Sequence, residues 1–555
     1  MSPIRDEGHV VKGFEGIARA LRAEGIDTVF GLMAIDNLPL IAELKATGIR
    51  VVRARTEHGA ISMADGYSRA TGKVGVVSVG DGPGAAFTAN GLMTALRRRS
   101  PIILISGDTP VSEIGTNLKH FDQAAFFTAT AGHCHEVVSG DTLASDIAQV
   151  FQRARSGVGP SVLNCPLNVF EDDLPNAWTY APLQDAAPAI PDESQVRKAA
   201  ELLSGARSPF ILIGRGALDD EVLDEIDGCA TALGALVGTT LQAEGALNDN
   251  PGQLGVIGGL APVATRELVN TADVVLAVGA GLNAFTTDFG RVFPSATIIR
   301  IARGTSSLDE SVPVALRIET DTLDTMRALN AALGERRLTS RVAAEAPPRT
   351  MIQDVDPISE TAGVIDPRTF LDIFDRVTAG PRMVVTDAGH AMFFVLDRVH
   401  PQDGGERIWG GDYAAMTVGI PIGIGAAIGN PDRRAFAFLG DGAFIMSPSE
   451  LDTAAREGVP LTVIVLNDLA YGAEVHYLKN WGLEPDLALF PTTPDVEAVA
   501  RAMGCEAVTV RDAEGAERAL ERAMTITGPL VLDVRIAGNV RHRLWQSAKR
   551  ISGGR

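Results

Sequence analysis

Residues Phe438 to Glu474 read FLGDGAFIMSPSELDTAAREGVPLTVIVLNDLAYGAE. One apolar run stops at Gly440-Asp441-Gly442, and a second, from Leu461 to Leu466, stops at Asn467-Asp468. A surface turn would explain either stop alone. Between them lies a helical pattern carrying Phe444, Leu451 and Ala455. Strand, helix and strand in that order predict two parallel strands that end at the same sheet edge. In open parallel sheets ligands bind beyond the carboxyl ends of the strands, so this edge is where polar chemistry is expected.

The same grammar recurs along the chain. Val74–Leu96 (VGVVSVGDGPGAAFTANGLMTAL) reads as strand, Gly-rich turn and helix, and SPIILISGDTP supplies the next strand. SPFILIGRG and ADVVLAVGAGL follow in the middle of the chain, and RMVVTDAGH, RAFAFLGDG and PLTVIVLND near its end. Two Pro-bearing, aperiodic stretches, Asp172–Ser194 and Leu333–Pro367, read as linkers. The expected architecture is α/β, with three consecutive doubly wound parallel-sheet domains over residues 1–185, 186–345 and 360–555.

Composition agrees. The chain has 555 residues, 46% of them hydrophobic, enough for three or four domains with large cores. Its formal net charge of −20, with no long basic cluster, argues against nucleic acid as a partner. Four cysteines without metal-ligand spacing, and no apolar signal core or membrane-length run, predict a soluble cytoplasmic protein.

At the opening stretch, Asp441 and Asp468 offer hard oxygen ligands suited to Mg²⁺, which keeps phosphate oxygens in its shell. The amides of Gly442, Ala443 and Phe444, at the start of a helix, favour an anionic phosphate. Gly-Asp-Gly, a helix and a strand ending in Asn-Asp resemble the diphosphate-binding motif of thiamine-diphosphate enzymes. That resemblance implies Asp441, Asp468 and the carbonyl of Ala470 as Mg²⁺ ligands, with Gly440, Gly442, Ala443, Tyr471 and Gly472 around the cofactor. Many members carry Asn where this chain has Asp468, which keeps an oxygen ligand and adds charge.

The segment Arg55–Gly84 (RTEHGAISMADGYSRATGKVGVVSVGDGPG) resembles the pyrimidine-binding domain of the acetolactate synthase, pyruvate decarboxylase and benzoylformate decarboxylase group. It places Glu57 on the family's catalytic glutamate, whose carboxyl promotes proton traffic at the aminopyrimidine ring. WGGDYAAMTVGIPIGIGAAIGNP resembles the segment before the Gly-Asp-Gly strand. There Met416 would hold the cofactor bent, and the Ala414 carbonyl would accept from the aminopyrimidine. His390, in TDAGHAMFF, aligns loosely with a position near the diphosphate. The resemblance spans pyrimidine-binding, middle and diphosphate-binding domains. It implies a homodimer or homotetramer in which Glu57 of one subunit faces Asp441 of another.

The reaction is less fixed than the cofactor. FGLMAIDNLPL stands where many acetolactate synthases carry a Gly-x-Pro-Gly-Gly turn, and LKHFDQAAFF replaces their Phe-Gln-Glu element. The latter brings His120, Asp122 or Gln123 near the substrate. His133 and His135 read as a polar strand edge. Glu474 falls on the glutamate that resembles the proton-relay residue of 2-oxo acid decarboxylases. VGAGLNAFTTDFG lacks the Arg of flavin sites, which argues against FAD. The expected activity is a carbon–carbon lyase or ligase acting next to a carbonyl, by 2-oxo acid decarboxylation or acyloin carboligation. A 2-hydroxyacyl-CoA lyase and a catalytically silent paralogue are the alternatives.

Overall fold

A computed structural model describes residues 10–176, 178–185, 190–303, 310–334, 356–400 and 405–544. It contains three six-stranded sheets, and every strand pairing in them is parallel. The first sheet comprises β1 (Thr28–Gly31), β2 (Arg50–Arg53), β3 (Gly75–Val79), β4 (Ile102–Asp108), β5 (Cys134–Glu136) and β6 (Ser161–Pro166). Its order is β2-β1-β3-β4-β6-β5.

The middle sheet uses β7 (Pro209–Ile213), β8 (Leu236–Thr239), β9 (Gln253–Val256), β10 (Val274–Val278), β11 (Thr297–Ile301) and β12 (Leu316–Ile318). The third uses β13 (Arg382–Thr386), β14 (Glu406–Trp409), β15 (Arg434–Gly440), β16 (Leu461–Asn467), β17 (Glu506–Val510) and β18 (Leu530–Arg535). The third sheet, β14-β13-β15-β16-β18-β17, repeats the strand order of the first; the middle one runs β12-β11-β10-β7-β8-β9. The three-domain α/β architecture read from the strand runs is the one observed.

Residues form two compact units. Met1–Ala186 and Ile358–Val540 make one, which holds the first and third sheets. They meet through the helices Glu57–Thr71 and Gly419–Gly429. A Cβ on Gly66 would lie 2.0 Å from the Ile422 carbonyl oxygen, and one on Gly425 would lie 1.8 Å from that of Met63. Only glycine permits this backbone contact. The helix Gly419–Gly429 is buried from Gly419 to Ala427 and apolar all round, as a helix between two sheets must be.

The other unit contains the middle sheet and takes residues 541–544, where the Arg541 amide donates to Asp356. Sequence composition had the third block running to residue 555. The linker expected at Leu333–Pro367 lies outside the described residues from 335 to 355, and residues 177 and 186–189 of the first linker do too. Among the described residues no helix is long and apolar enough to cross a membrane.

Candidate active site

The two polar stops of the opening stretch meet. In the β15–β16 ladder Gly440 pairs with Leu466, so Asp441 and Asp468 emerge side by side. Asp441 is 1% exposed, and neither of its carboxylate oxygens has a hydrogen-bond partner. Burial pushes its pKa up to about 6; the amides of Asp441 and Gly442 temper that rise without bonding the carboxylate. Burial, with the charge of Asp441 beside it, pushes Asp468 up to about 7. A buried carboxylate beside a half-buried one, both with raised pKa values, is an arrangement that could hold a divalent cation. Among the described residues no three His, Cys, Asp or Glu side chains converge as metal ligands. A cation here therefore needs other oxygens, which a main-chain carbonyl and a phosphate-bearing ligand supply.

The turn after Asp468 is shaped to present one. Leu469 adopts a left-handed φ of 57° and reverses the chain before buried Ala470. The Tyr471 amide donates to Ala488 O at 2.9 Å, and the Phe490 amide to Leu469 O at 2.7 Å. A Cβ on Gly442 would strike the Tyr471 ring at 2.6 Å, and one on Gly472 would meet Asp468 Oδ2 at 2.7 Å. His390 stands at the same turn, its Cβ and Nδ1 3.6 Å from where a Gly472 Cβ would be. Thus Asp441, Gly442, Asp468, Ala470, Tyr471, Gly472 and His390 come together, with Gly440 and Ala443 on either side of Asp441.

Met416 sits half-buried in the loop between β14 and the helix Gly419–Gly429. Left-handed residues flank it: Ala414 at φ 55° and Thr417 at φ 82°. A β-branched residue with positive φ is a true outlier, and such strain concentrates at functional sites. Two bonds hold the bend. Thr417 Oγ1 lies 2.9 Å from His58 Nε2, and the fully buried Asp387 carboxylate accepts from the Gly419 amide at 2.7 Å. Burial pushes Asp387 up to about 6.

Glu57 opens the helix Glu57–Thr71, where Thr56 is the N-cap: the Gly59 amide donates to Thr56 Oγ1 at 2.9 Å. Its carboxyl faces the turn after β3, since a Cβ on Gly84 would lie 3.3 Å from Glu57 Oε1. Burial, and then the Glu450 carboxylate nearby, raise its pKa above the usual glutamate value. Glu450 is a residue that sequence reasoning missed. It is 2% exposed and accepts from the Thr56 amide (3.0 Å), Thr56 Oγ1 (2.8 Å) and the Arg55 amide (3.2 Å). A helix of the third domain thereby fixes the backbone just before Glu57. Within this chain Glu57 and Asp441 share no hydrogen-bond partner among the described residues.

The substrate-side candidates separate. Gln123 is buried; its oxygen accepts from the Gly82 amide at 2.6 Å, and its nitrogen donates to Gly107 O and Asn164 Oδ1 at 2.8 and 2.9 Å. Both donors are thus engaged, and Gln123 is a brace for the turn after β3, not a group open to a substrate. Asp122 caps the helix Gln123–Ala131 through the Ala125 amide at 2.9 Å. His120 is half-buried beside that turn. His133 Nδ1 pairs with Ser161 Oγ and His135 with Asp146, which fits the polar strand edge. Glu474 is exposed in the first turn of the helix Gly472–Asn480, so this chain alone gives it no apolar pocket.

Two parallel sheets of one topology carry acidic groups at their carboxyl edges, where open α/β sheets bind ligands. Family comparison makes the class specific. Residues 11–128 match the N-terminal TPP binding domain of the thiamine pyrophosphate enzymes, 196–329 the central domain and 387–534 the C-terminal TPP binding domain. The chain belongs to the thiamine pyrophosphate (thiamine diphosphate) enzyme family. It is 27% identical to the acetolactate synthase large subunit of Haemophilus influenzae over 94% of this chain and 93% of that one. It is 29% identical to a probable 2-ketoarginine decarboxylase of Pseudomonas aeruginosa, over 94% of each chain. It is also 27% identical to the sulfoacetaldehyde acetyltransferase of Alcaligenes xylosoxydans xylosoxydans, over 93% of this chain and 91% of that one.

Proposed function

We propose that this protein is a thiamine-diphosphate- and Mg²⁺-dependent carbon–carbon lyase or ligase that acts next to a carbonyl. Its reaction is 2-oxo acid decarboxylation, acyloin carboligation or both. The observation that carries the cofactor half is the buried Asp441 carboxylate, unbonded at both oxygens and set beside Asp468. Those two side chains and the Ala470 carbonyl would hold Mg²⁺, and the cation would hold the diphosphate. When bound, thiamine diphosphate supplies an electron sink for breaking or making a bond at a carbonyl carbon.

The chain's own residues do the rest. Glu57, its pKa raised by burial, holds a proton at the aminopyrimidine ring nitrogen. Met416, fixed by the strained loop, and the Ala414 carbonyl keep the cofactor's rings in place. Glu474 delivers a proton to the product carbon, and His120 flanks the substrate. The names of the relatives favour this reaction class, since decarboxylation or acyl transfer next to a carbonyl is common to them. Glu57 and Asp441 act together across a subunit interface, in a homodimer or homotetramer. Exposed Phe87, Tyr413, Trp481 and Leu487, all near these edges, support a surface covered by a second copy.

Calorimetry with Mg²⁺ present tests the cofactor half. Asp441→Ala should abolish thiamine-diphosphate binding, whereas Asp468→Asn, which keeps one oxygen ligand, should retain it. Unchanged affinity in Asp441→Ala would overturn the assignment. A panel of 2-oxo acids, aldehydes and 2-hydroxyacyl-CoAs, read by mass spectrometry, tests the reaction. Cleavage of the acyl-CoAs alone would replace this reading with a lyase of that type.

A further inference from the structure

Three side chains to which this mechanism gives no task form an ion triad at the edge of the first sheet. Lys119 Nζ lies 3.0 and 3.1 Å from the two carboxylate oxygens of Asp36 and 2.7 Å from Asp81 Oδ1. The carboxylate side chains are 2% and 1% exposed, the lysine side chain 37%. The anions therefore lie behind and the cation in front. An ammonium has three donors and these three oxygens take them, so an anion on the open side would share an N–H with the second, longer Asp36 contact.

The triad occupies the place where this sheet should bind a ligand. Asp36 follows β1 and Asp81 follows β3, neighbouring strands from which the chain winds outward in opposite directions. That is the topological switch point, where open parallel sheets take their ligands. Lys119 and Glu57 press on the same short turn. A Cβ on Gly82 would lie 2.6 Å from Lys119 Cβ, and one on Gly84 3.3 Å from Glu57 Oε1. Gln123 braces this turn from below through the Gly82 amide.

A second observation concerns Asp81. Among the described residues its buried Oδ2 accepts from no donor, and a proton shared with Asp36 would satisfy it. Burial, then Asp36, pushes Asp81 up to about 6. Asp36 stays low despite its own burial, because Asp81 and Lys119 donate to it. Below about pH 6 that shared proton leaves the triad neutral, so a second anion then meets the ammonium without net repulsion.

We propose that Lys119 is the specificity-determining residue that takes the carboxylate of the substrate, with Asp36 and Asp81 as positioning residues that hold its ammonium beside the Glu57 turn. This rests on the reading of the protein as a thiamine-diphosphate enzyme acting on 2-oxo acids. A salt bridge that merely fastened the loop would treat charged and neutral ligands alike.

The test is titration calorimetry of the protein loaded with Mg²⁺ and thiamine diphosphate, in a Glu57→Gln background that suppresses turnover. The probes are pyruvate and butane-2,3-dione, a neutral molecule of similar shape. Lys119→Met should weaken pyruvate by about tenfold to a hundredfold, the range of a charge-assisted hydrogen bond, and leave the dione within about twofold. Lys119→Arg should recover most of the pyruvate affinity. Above about pH 6, where Asp81 is ionised, Asp81→Asn removes an anion from behind the lysine and should tighten pyruvate. Equal weakening of both probes would overturn the proposal. So would an unchanged pyruvate affinity, or a loaded parent protein that binds no pyruvate. Failure of the cofactor reading is distinguishable, because thiamine diphosphate then gives no binding heat in any variant, before either probe is added.

Discussion

Replacing Glu450 separates its two effects on the Glu57 turn. Its carboxylate accepts from the amides of Arg55 and Thr56 and from the hydroxyls of Thr56 and Thr453. Glu450→Ala leaves these donors without their acceptor. A fully buried stranded donor costs about 1–3 kcal/mol, and these two amides are part-buried, so their loss should lower the stability of this unit by about 1–3 kcal/mol in all. Glu450→Gln behaves differently. Burial raises the Glu450 pKa, chiefly against the hydrogen bonds that favour its charge. A raised carboxyl contributes stability that is full below its unfolded value of about 4.5 and is lost as pH climbs through the folded value. The loss is about 1.4 kcal/mol for each pH unit separating the two values.

Gln imitates the protonated acid, so Glu450→Gln should flatten this pH dependence and equal or exceed the parent's stability above neutrality. It should also lower the apparent pKa of Glu57, by removing the neighbouring charge. Urea midpoints from pH 4 to 9, with the pH profile of thiazolium C2-proton exchange followed by NMR after acid quench, read both effects. If Glu450→Ala unfolds at the parent's midpoint and Glu450→Gln leaves the exchange profile where it was, the bridge to Thr56 is idle.

Glu57→Gln should keep the fold and most cofactor binding but slow C2-proton exchange by about 10²- to 10⁴-fold, measured the same way; parent-like exchange rules out its proton role. Glu474→Gln should slow aldehyde release and shift product toward acyloin when an acceptor aldehyde is supplied, a ratio read by gas chromatography. An unchanged ratio makes Glu474 a surface residue. Gly425→Ala, whose new Cβ falls on the Met63 carbonyl, should lower stability by at least about 1–3 kcal/mol in thermal melts of the whole chain. A melting temperature equal to the parent's would contradict the close helix contact.

The strand ends were legible because a buried parallel strand leaves an unbroken apolar run and its exit leaves Gly, Asp or Asn. That is why Asp441, Asp468 and the Gly-rich turn after β3 stand out in the sequence. Glu450 lies inside the same opening stretch and yet gave no sign. Its helical pattern reads as a solvated face, and what buries it is Thr56, almost four hundred residues earlier. Gln123 misled for the same reason. Nothing local announces that the Gly82 amide needs an acceptor, so a polar residue beside the expected substrate looked available. Asp36 and Lys119 belong to motifs noticed only for what they lack relative to acetolactate synthases. Their pairing depends on the β1–β3 switch point, a property of topology rather than of either segment.

The loop around Met416 holds its left-handed Thr417 through bonds to the polypeptide itself, His58 on one side and the Asp387–Gly419 contact on the other. A strained residue of this kind costs of order 1–3 kcal/mol, and that cost is already met when the domains fold. A ligand that fitted the bend would therefore lose little affinity to ordering the loop, as happens when a rigid receptor replaces a floppy one. Thr417→Gly would reverse the bargain, easing the fold while letting the bend open.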